Sequence, residues 1–168
     1  MNKKDLPKRK RIRLIDFDYS ETGYYYLTIC TKEKQKTLSK IVGVGFPDDP
    51  KVELIEIGKT VENAIKFIDE TNQFVNIETY CIMPNHIHLI VFINNESANG
   101  SSGKPTPTNA ILSKVVSSLK RYTNRKTNKK LWQRSFYEHV IRNEKSLIEI
   151  SEYIHNNPAV WESDSLFC

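Results

Sequence analysis

The stretch Tyr80-Cys81-Ile82-Met83-Pro84-Asn85-His86-Ile87-His88-Leu89-Ile90-Val91-Phe92 joins two apolar runs through Pro84-Asn85, a pair that suits a turn and interrupts a continuous strand. Residues 74–83 therefore read as one β-strand and residues 86–93 as the next. Along the second strand, Ile87, Leu89, Val91 and Ile93 fall on one face, and His86, His88, Ile90 and Phe92 on the other. Both faces are largely apolar, which predicts an interior strand. His86 and His88 share a face at its start, where two imidazoles can hold one metal ion or simply pack side by side. Their spacing alone leaves both readings open.

Working outward, residues 24–31 (Tyr-Tyr-Tyr-Leu-Thr-Ile-Cys-Thr) form an aromatic and β-branched run that predicts a first strand behind the turn residues Glu21-Thr22-Gly23. Two short β-prone pieces, 40–46 and 51–57, flank Pro47-Asp48-Asp49-Pro50 and read as a hairpin, an excursion from the core. Val61, Ala64, Ile65 and Ile68 recur at i, i+3, i+4 and i+7, the stripe of an amphipathic helix. Downstream, residues 94–107 have a linker's Asn, Ser and Gly content. Helical spacing resumes with Ile111, Val115, Leu119 and Tyr122 behind Thr108 as N-cap. Residues 135–142 read as a short strand. Asn143 can then cap a last helix that turns Leu147, Ile150, Ser151 and Ile154 inward and is limited by Pro158. A residue before proline is pushed away from helical dihedrals, so Asn157 is expected to align imperfectly with that helix. The order strand, helix, strand, strand, helix, strand, with a terminal helix, predicts an α+β ferredoxin-like sandwich with helices on one face of an antiparallel sheet.

The chain has 168 residues, enough for one core without staples, and a formal net charge of +5. Lysine and arginine crowd residues 1–13, expected to be a flexible arm ahead of one domain over 14–168, and gather again between Lys114 and Arg142. This balance favours an anionic partner. Cys30, Cys81 and Cys168 are odd in number and widely spaced, fitting neither a disulfide framework nor a thiolate clip. Reduced thiols, the lack of an apolar run of ~20 residues and the lack of a signal-peptide core predict a soluble cytoplasmic protein without membrane contact.

Two residues on the final helix change what the histidine pair can mean. Tyr153 and Asn157 are four apart and so lie on one side of that helix. A phenol with a pKa of about 10 is a poor nucleophile near neutrality. A divalent ion held by His86, His88 and an amide oxygen would polarise a phosphate for its attack. With no thiolate in the set, magnesium or manganese (Mg2+ or Mn2+) suits it better than structural zinc.

Pro84-Asn85-His86-Ile87-His88, then Leu131-Trp132-Gln133-Arg134-Ser135-Phe136-Tyr137-Glu138-His139-Val140-Ile141-Arg142-Asn143, then Tyr153-Ile154-His155-Asn156-Asn157-Pro158, in that order, resemble the single-tyrosine HUH transposases, closest to their REP-associated tyrosine transposase branch. The resemblance runs from about residue 24 to residue 161 and implies an HUH endonuclease type of fold. It implies that His86 and His88 bind the divalent metal, that Tyr153 is the nucleophile, and that Asn157 completes the metal site. The activity implied is cleavage and transfer of single-stranded DNA, often beside a hairpin, through a 5′-phosphotyrosine. A homodimer is implied on the same ground only.

For DNA contacts, Lys114, Lys120, Arg121, Arg134 and Arg142 suit phosphates, and Trp132 suits base stacking. Each basic residue is otherwise a solvated surface charge. Tyr137 sits in an aromatic cluster with Trp132 and Phe136, where packing or stacking is favoured over catalysis. His139 and His155 pair with no other histidine at ligand spacing. The rival reading is a non-catalytic single-stranded nucleic-acid-binding module of the same fold, which has no need of His86, His88 and Tyr153 together.

Overall fold

The computed structural model describes residues 22–43, 50–94 and 108–166. The basic arm, most of the 94–107 linker, the centre of the 40–57 hairpin and Cys168 lie outside the described residues. Six strands and three helices follow in the order β1 (Gly23–Cys30), β2 (Ser39–Val42), β3 (Lys51–Leu54), α1 (Glu56–Thr71), β4 (Val75–Ile82), β5 (His86–Ile93), α2 (Thr108–Thr127), β6 (Tyr137–Ile141) and α3 (Glu144–Asn156). The main sheet is antiparallel throughout, with strand order β4-β5-β1-β6. That order makes β1, α1, β4, β5, α2 and β6 a ferredoxin-like sandwich, as the sequence predicts.

Strand alternation assigns the two faces of the sheet. Ile87, Leu89, Val91 and Ile93 of β5 join Tyr25, Leu27 and Ile29 of β1 beneath the apolar stripes of α1 (Val61, Ala64, Ile65, Ile68) and α2 (Ile111, Leu112, Val115, Val116, Leu119). All of these are buried. The opposite face holds a smaller cluster, Ile90, Ile141 and Ile154, to which Leu147 and Ile150 of α3 add partly buried side chains. The expectation that helices cover one face alone is corrected here. α3 crosses the second face because its stripe meets Ile90, the buried apolar position of β5 on the histidine side. Burying a side chain such as Ile154, 1% exposed, contributes about 1.5–3 kcal/mol to holding α3 there.

The hairpin β2–β3 forms its own two-stranded sheet, yet it is no mere excursion. Its leading segment holds the turn ahead of β5. Thr31 donates from N and Oγ1 to the Asn85 carbonyl, Leu38 N donates to the Pro84 carbonyl at 3.0 Å, and Ser39 Oγ donates to the Ile82 carbonyl at 2.8 Å. Leu38 is fully buried against the core. Its carbonyl accepts from Ile55 N at 3.1 Å, and a Cβ on Gly58 would stand 2.0 Å from that carbonyl oxygen. The start of α1 and the hairpin can therefore approach this closely only with glycine at position 58.

Candidate active site

β5 presents His86 and His88 to the face crossed by α3, opposite Cys30 and Thr28 of β1. Both rings are buried, and their Nε2 atoms face each other at 2.9 Å. The outer nitrogens are held from behind. Asn85 Oδ1, which can only accept, takes the His86 Nδ1–H at 2.8 Å, leaving His86 Nε2 as a lone-pair donor. His88 Nδ1 is 2.7 Å from the Tyr26 hydroxyl and 3.0 Å from Thr28 Oγ1. Such support holds both rings in orientation, and at His86 it also sets the tautomer, as partners do around metal-ligating histidines. Burial pulls both imidazoles below the ordinary value near 6.5, that of His88 to about 3 with help from neighbouring His86, so both are neutral at physiological pH. Asp164 opposes the shift at His86.

Tyr153 projects from α3 toward the same point. Its ring centroid lies 5.5 Å from that of His88 and 6.5 Å from that of Tyr26, and it is 44% exposed. The helix that carries it starts where expected, with Asn143 Oδ1 accepting from Ser146 N at 2.8 Å. Burial raises the phenol above its ordinary value and Asp164 adds to this. The ring borders a cavity of about 390 Å³ lined further by Tyr26, Thr28, His88, Phe136 and Tyr137. The Tyr153 phenol, the His88 imidazole and the aromatic walls thus open into one space.

Asn157 is fully buried, and neither its Oδ1 nor its Nδ2 has a hydrogen-bond partner among the described residues. Its backbone corrects the expectation drawn from Pro158: φ −54° and ψ −39° are helical. The reason is that the chain passes directly from α3 into a 3-10 helix, Asn157–Ser163, at whose start proline's missing N–H leaves no bond unmade. Seven residues after Asn157 stands a residue the sequence reading overlooked. Asp164 offers a carboxylate whose Oδ2 is buried and 3.8 Å from His86 Nε2. With His86 and His88 it places three ligand atoms within 4.8 Å of one another. Cys81, opposite His88 on β4, stays outside this group, its Sγ donating to Met83 Sδ at 3.5 Å.

The DNA-contact candidates do not converge. Trp132 is corrected outright: it is 7% exposed in the main core, with its indole N–H on Thr123 Oγ1 at 2.7 Å, and offers no stacking face. Lys120 is half-buried and donates to the carbonyls of Gln133 and Ser135 at 2.8 and 3.0 Å, so it braces the loop beside the cavity. Arg121 lies in a groove between α1 and α2, behind the sheet. Arg142 borders a separate cavity at the Tyr24 end of β1, four strand residues or about 13 Å from Thr28. Lys114 and Arg134 are exposed. Tyr137, by contrast, is 49% exposed within the site cavity, on the histidine face of β6.

This fold and this site define a class of transposase. The family model for IS200-like transposases matches residues 20–157, which include His86, His88, Tyr153 and Asn157, and the chain belongs to that family. It is 33% identical over 174 residues to an uncharacterized protein of Haemophilus influenzae, with 95% of this chain and 93% of the relative covered. It is 25% identical over 144 residues to a second protein of that organism, assigned as a REP-associated tyrosine transposase, with 84% of this chain and 73% of the relative covered. Among solved structures, a REP-associated tyrosine transposase bound to a REP hairpin shares the fold with a TM-score of 0.53 and 19% identity, over 81% of this chain and 66% of that one.

Proposed function

We propose that this chain is a metal-dependent single-stranded DNA endonuclease and strand transferase that works through a covalent 5′-phosphotyrosine on Tyr153, on DNA with hairpin or palindromic elements. The observation that carries this reading is the meeting of Tyr153 with His88 at one cavity, the His88 imidazole being paired in turn with that of His86. Neither packing nor nucleic-acid binding requires two buried imidazoles with their Nε2 atoms turned on each other.

The donors present fit a divalent cation. His86 and His88 would hold such an ion through their neutral Nε2 atoms, which lie 2.9 Å apart. The buried amide of Asn157, without partners of its own, suits an oxygen ligand. Bound there, magnesium or manganese would draw charge from a phosphate oxygen and make the phosphorus easier to attack. The Tyr153 oxygen attacks phosphorus and loses its proton to solvent. The bond to the 3′ oxygen breaks, that oxygen takes up a proton, and the 5′ phosphate stays on the tyrosine. Because the phosphodiester energy is kept in that bond, a second 3′ hydroxyl can reverse the step and join strands. A homodimer would follow the family habit, and a cytoplasmic site of action suits the target. No helix among the described residues is long and apolar enough to cross a membrane.

The direct test incubates the protein with manganese and single-stranded oligonucleotides taken from the flanks of its own gene. A denaturation-resistant protein–DNA adduct is expected from the wild type and none from Tyr153→Phe. An adduct that persists in Tyr153→Phe would remove the proposed nucleophile. Binding without adduct across many hairpin substrates would favour the non-catalytic module.

A further inference from the structure

We propose that Asp164 is the anionic ligand of the cation site, so that the site is completed by a turn lying beyond the family-matched span of residues 20–157. The inference rests on the cation-dependent reading above and names a ligand that reading leaves out.

Asp164 is not a surface acid that happens to lie nearby. Its side chain is 1% exposed, and Oδ2 has no hydrogen-bond partner among the described residues. His86 Nε2, on a neutral ring, is 3.8 Å away, outside hydrogen-bond range, and already faces His88 Nε2 at 2.9 Å. An ionised carboxylate in that position is costly unless something positive compensates it. Two imidazoles and an amide are all neutral donors, whereas hard divalent ions favour carboxylate oxygen.

The carboxylate is also aimed. Oδ1 accepts from Leu166 N at 2.6 Å, which turns Oδ2 toward the histidines. The Leu166 carbonyl accepts from Asn85 Nδ2 at 2.8 Å, and Asn85 Oδ1 accepts from His86 Nδ1 at 2.8 Å. His86, Asn85, Leu166 and Asp164 thereby close a ring of contacts that begins and ends at the two proposed ligands. Asn85 is its positioning residue: one amide fixes the imidazole with its oxygen and the carboxylate-bearing turn with its nitrogen. The preceding 3-10 helix seats this turn, with Asp164 N donating to the Trp161 carbonyl at 3.1 Å and the Trp161 ring 6.0 Å from that of His86.

The experiment measures manganese binding to the full chain without DNA, by calorimetry and by the thermal shift that manganese produces. Asn at position 164 keeps the oxygen that accepts from Leu166 and removes the charge. Asp164→Asn should therefore melt no lower than wild type without metal, lose the manganese-induced rise, and bind manganese at least tenfold more weakly. A lower melting point without metal, failure to fold, or manganese affinity within twofold of wild type would each overturn the proposal, since each makes the carboxylate structural or idle. His86→Ala and His88→Ala serve as the separate control on the underlying reading. If they abolish binding while Asp164→Asn does not, only Asp164 falls; if they too bind as wild type does, the cation reading falls with it.

Discussion

His88 joins stability to chemistry in one side chain. Its Nδ1 is held by Tyr26 and Thr28, its Nε2 meets His86, and its ring lies under Tyr153. The burial that keeps it neutral also makes the metal-free fold sensitive to acid. Its folded pKa, about 3, is below the unfolded value near 6.5, so the unfolded chain binds more protons between them. Stability is thus full above about pH 6.5 and falls as pH drops through that window, by roughly 3 kcal/mol for this residue by pH 4. Urea unfolding of metal-free protein from pH 7 to 4.5 should show a steeper loss for wild type than for His88→Gln. Equal slopes would contradict a neutral buried imidazole. At this scale His86, His88, Tyr153 and Asn157 were legible as candidates, since spacing puts each pair on one face of a strand or helix, while the resemblance supplied their roles. Asp164 was not. It follows Pro158 in a stretch, Trp161-Glu162-Ser163-Asp164-Ser165, without helical or strand period, and only the 3-10 helix brings it back to His86. Trp132 was misread because an aromatic in a basic segment looks like a stacking platform, and nothing local reveals that Thr123 waits for its N–H.

Among the elements, β5 spans the residues its alternation predicts, and β1, β4 and β6 lie within or one residue beyond theirs. The β2–β3 hairpin was visible as a hairpin, but its purpose was not. Its hold on the Met83–Asn85 turn runs through backbone groups of Thr31, Leu38, Pro84 and Asn85, and backbone hydrogen bonds leave little trace in side-chain pattern. Gly58 is a clue to how closely α1 packs on the Leu38 segment. Gly58→Ala should destabilise the protein by about 2–4 kcal/mol, because the added carbon meets the Leu38 carbonyl rather than a flexible side chain. Since Leu38 N also bonds to Pro84 just ahead of the histidines, cation affinity should fall with it. Thermal melts within 0.5 kcal/mol of wild type would show that α1 and the hairpin can separate at no cost.

For the whole molecule, the sheet order β4-β5-β1-β6 is what brings distant segments together. β1 lies between β5 and β6, so Tyr26 and Thr28 stand between the histidines and Tyr137, while α3 returns over the same face with Tyr153. Element order predicted the sandwich, though not the passage of α3 over its second face. It could not predict that basic residues close in sequence would scatter in space, Arg121 behind the sheet and Arg142 at its far end, because charge does not fix which face of a helix or end of a strand a residue occupies. Three tyrosines, Tyr26, Tyr137 and Tyr153, line one cavity, and the central claim is that only the last carries DNA. Tryptic cleavage separates them, since Lys32, Arg134, Arg142 and Lys145 divide the chain between their positions. The decisive measurement is mass spectrometry of the tryptic peptides from a manganese-dependent protein–DNA adduct after nuclease trimming. The account predicts a nucleotide 5′-phosphate on the peptide that begins at Ser146 and holds Tyr153; the same mass on a peptide holding Tyr26 or Tyr137 would contradict it.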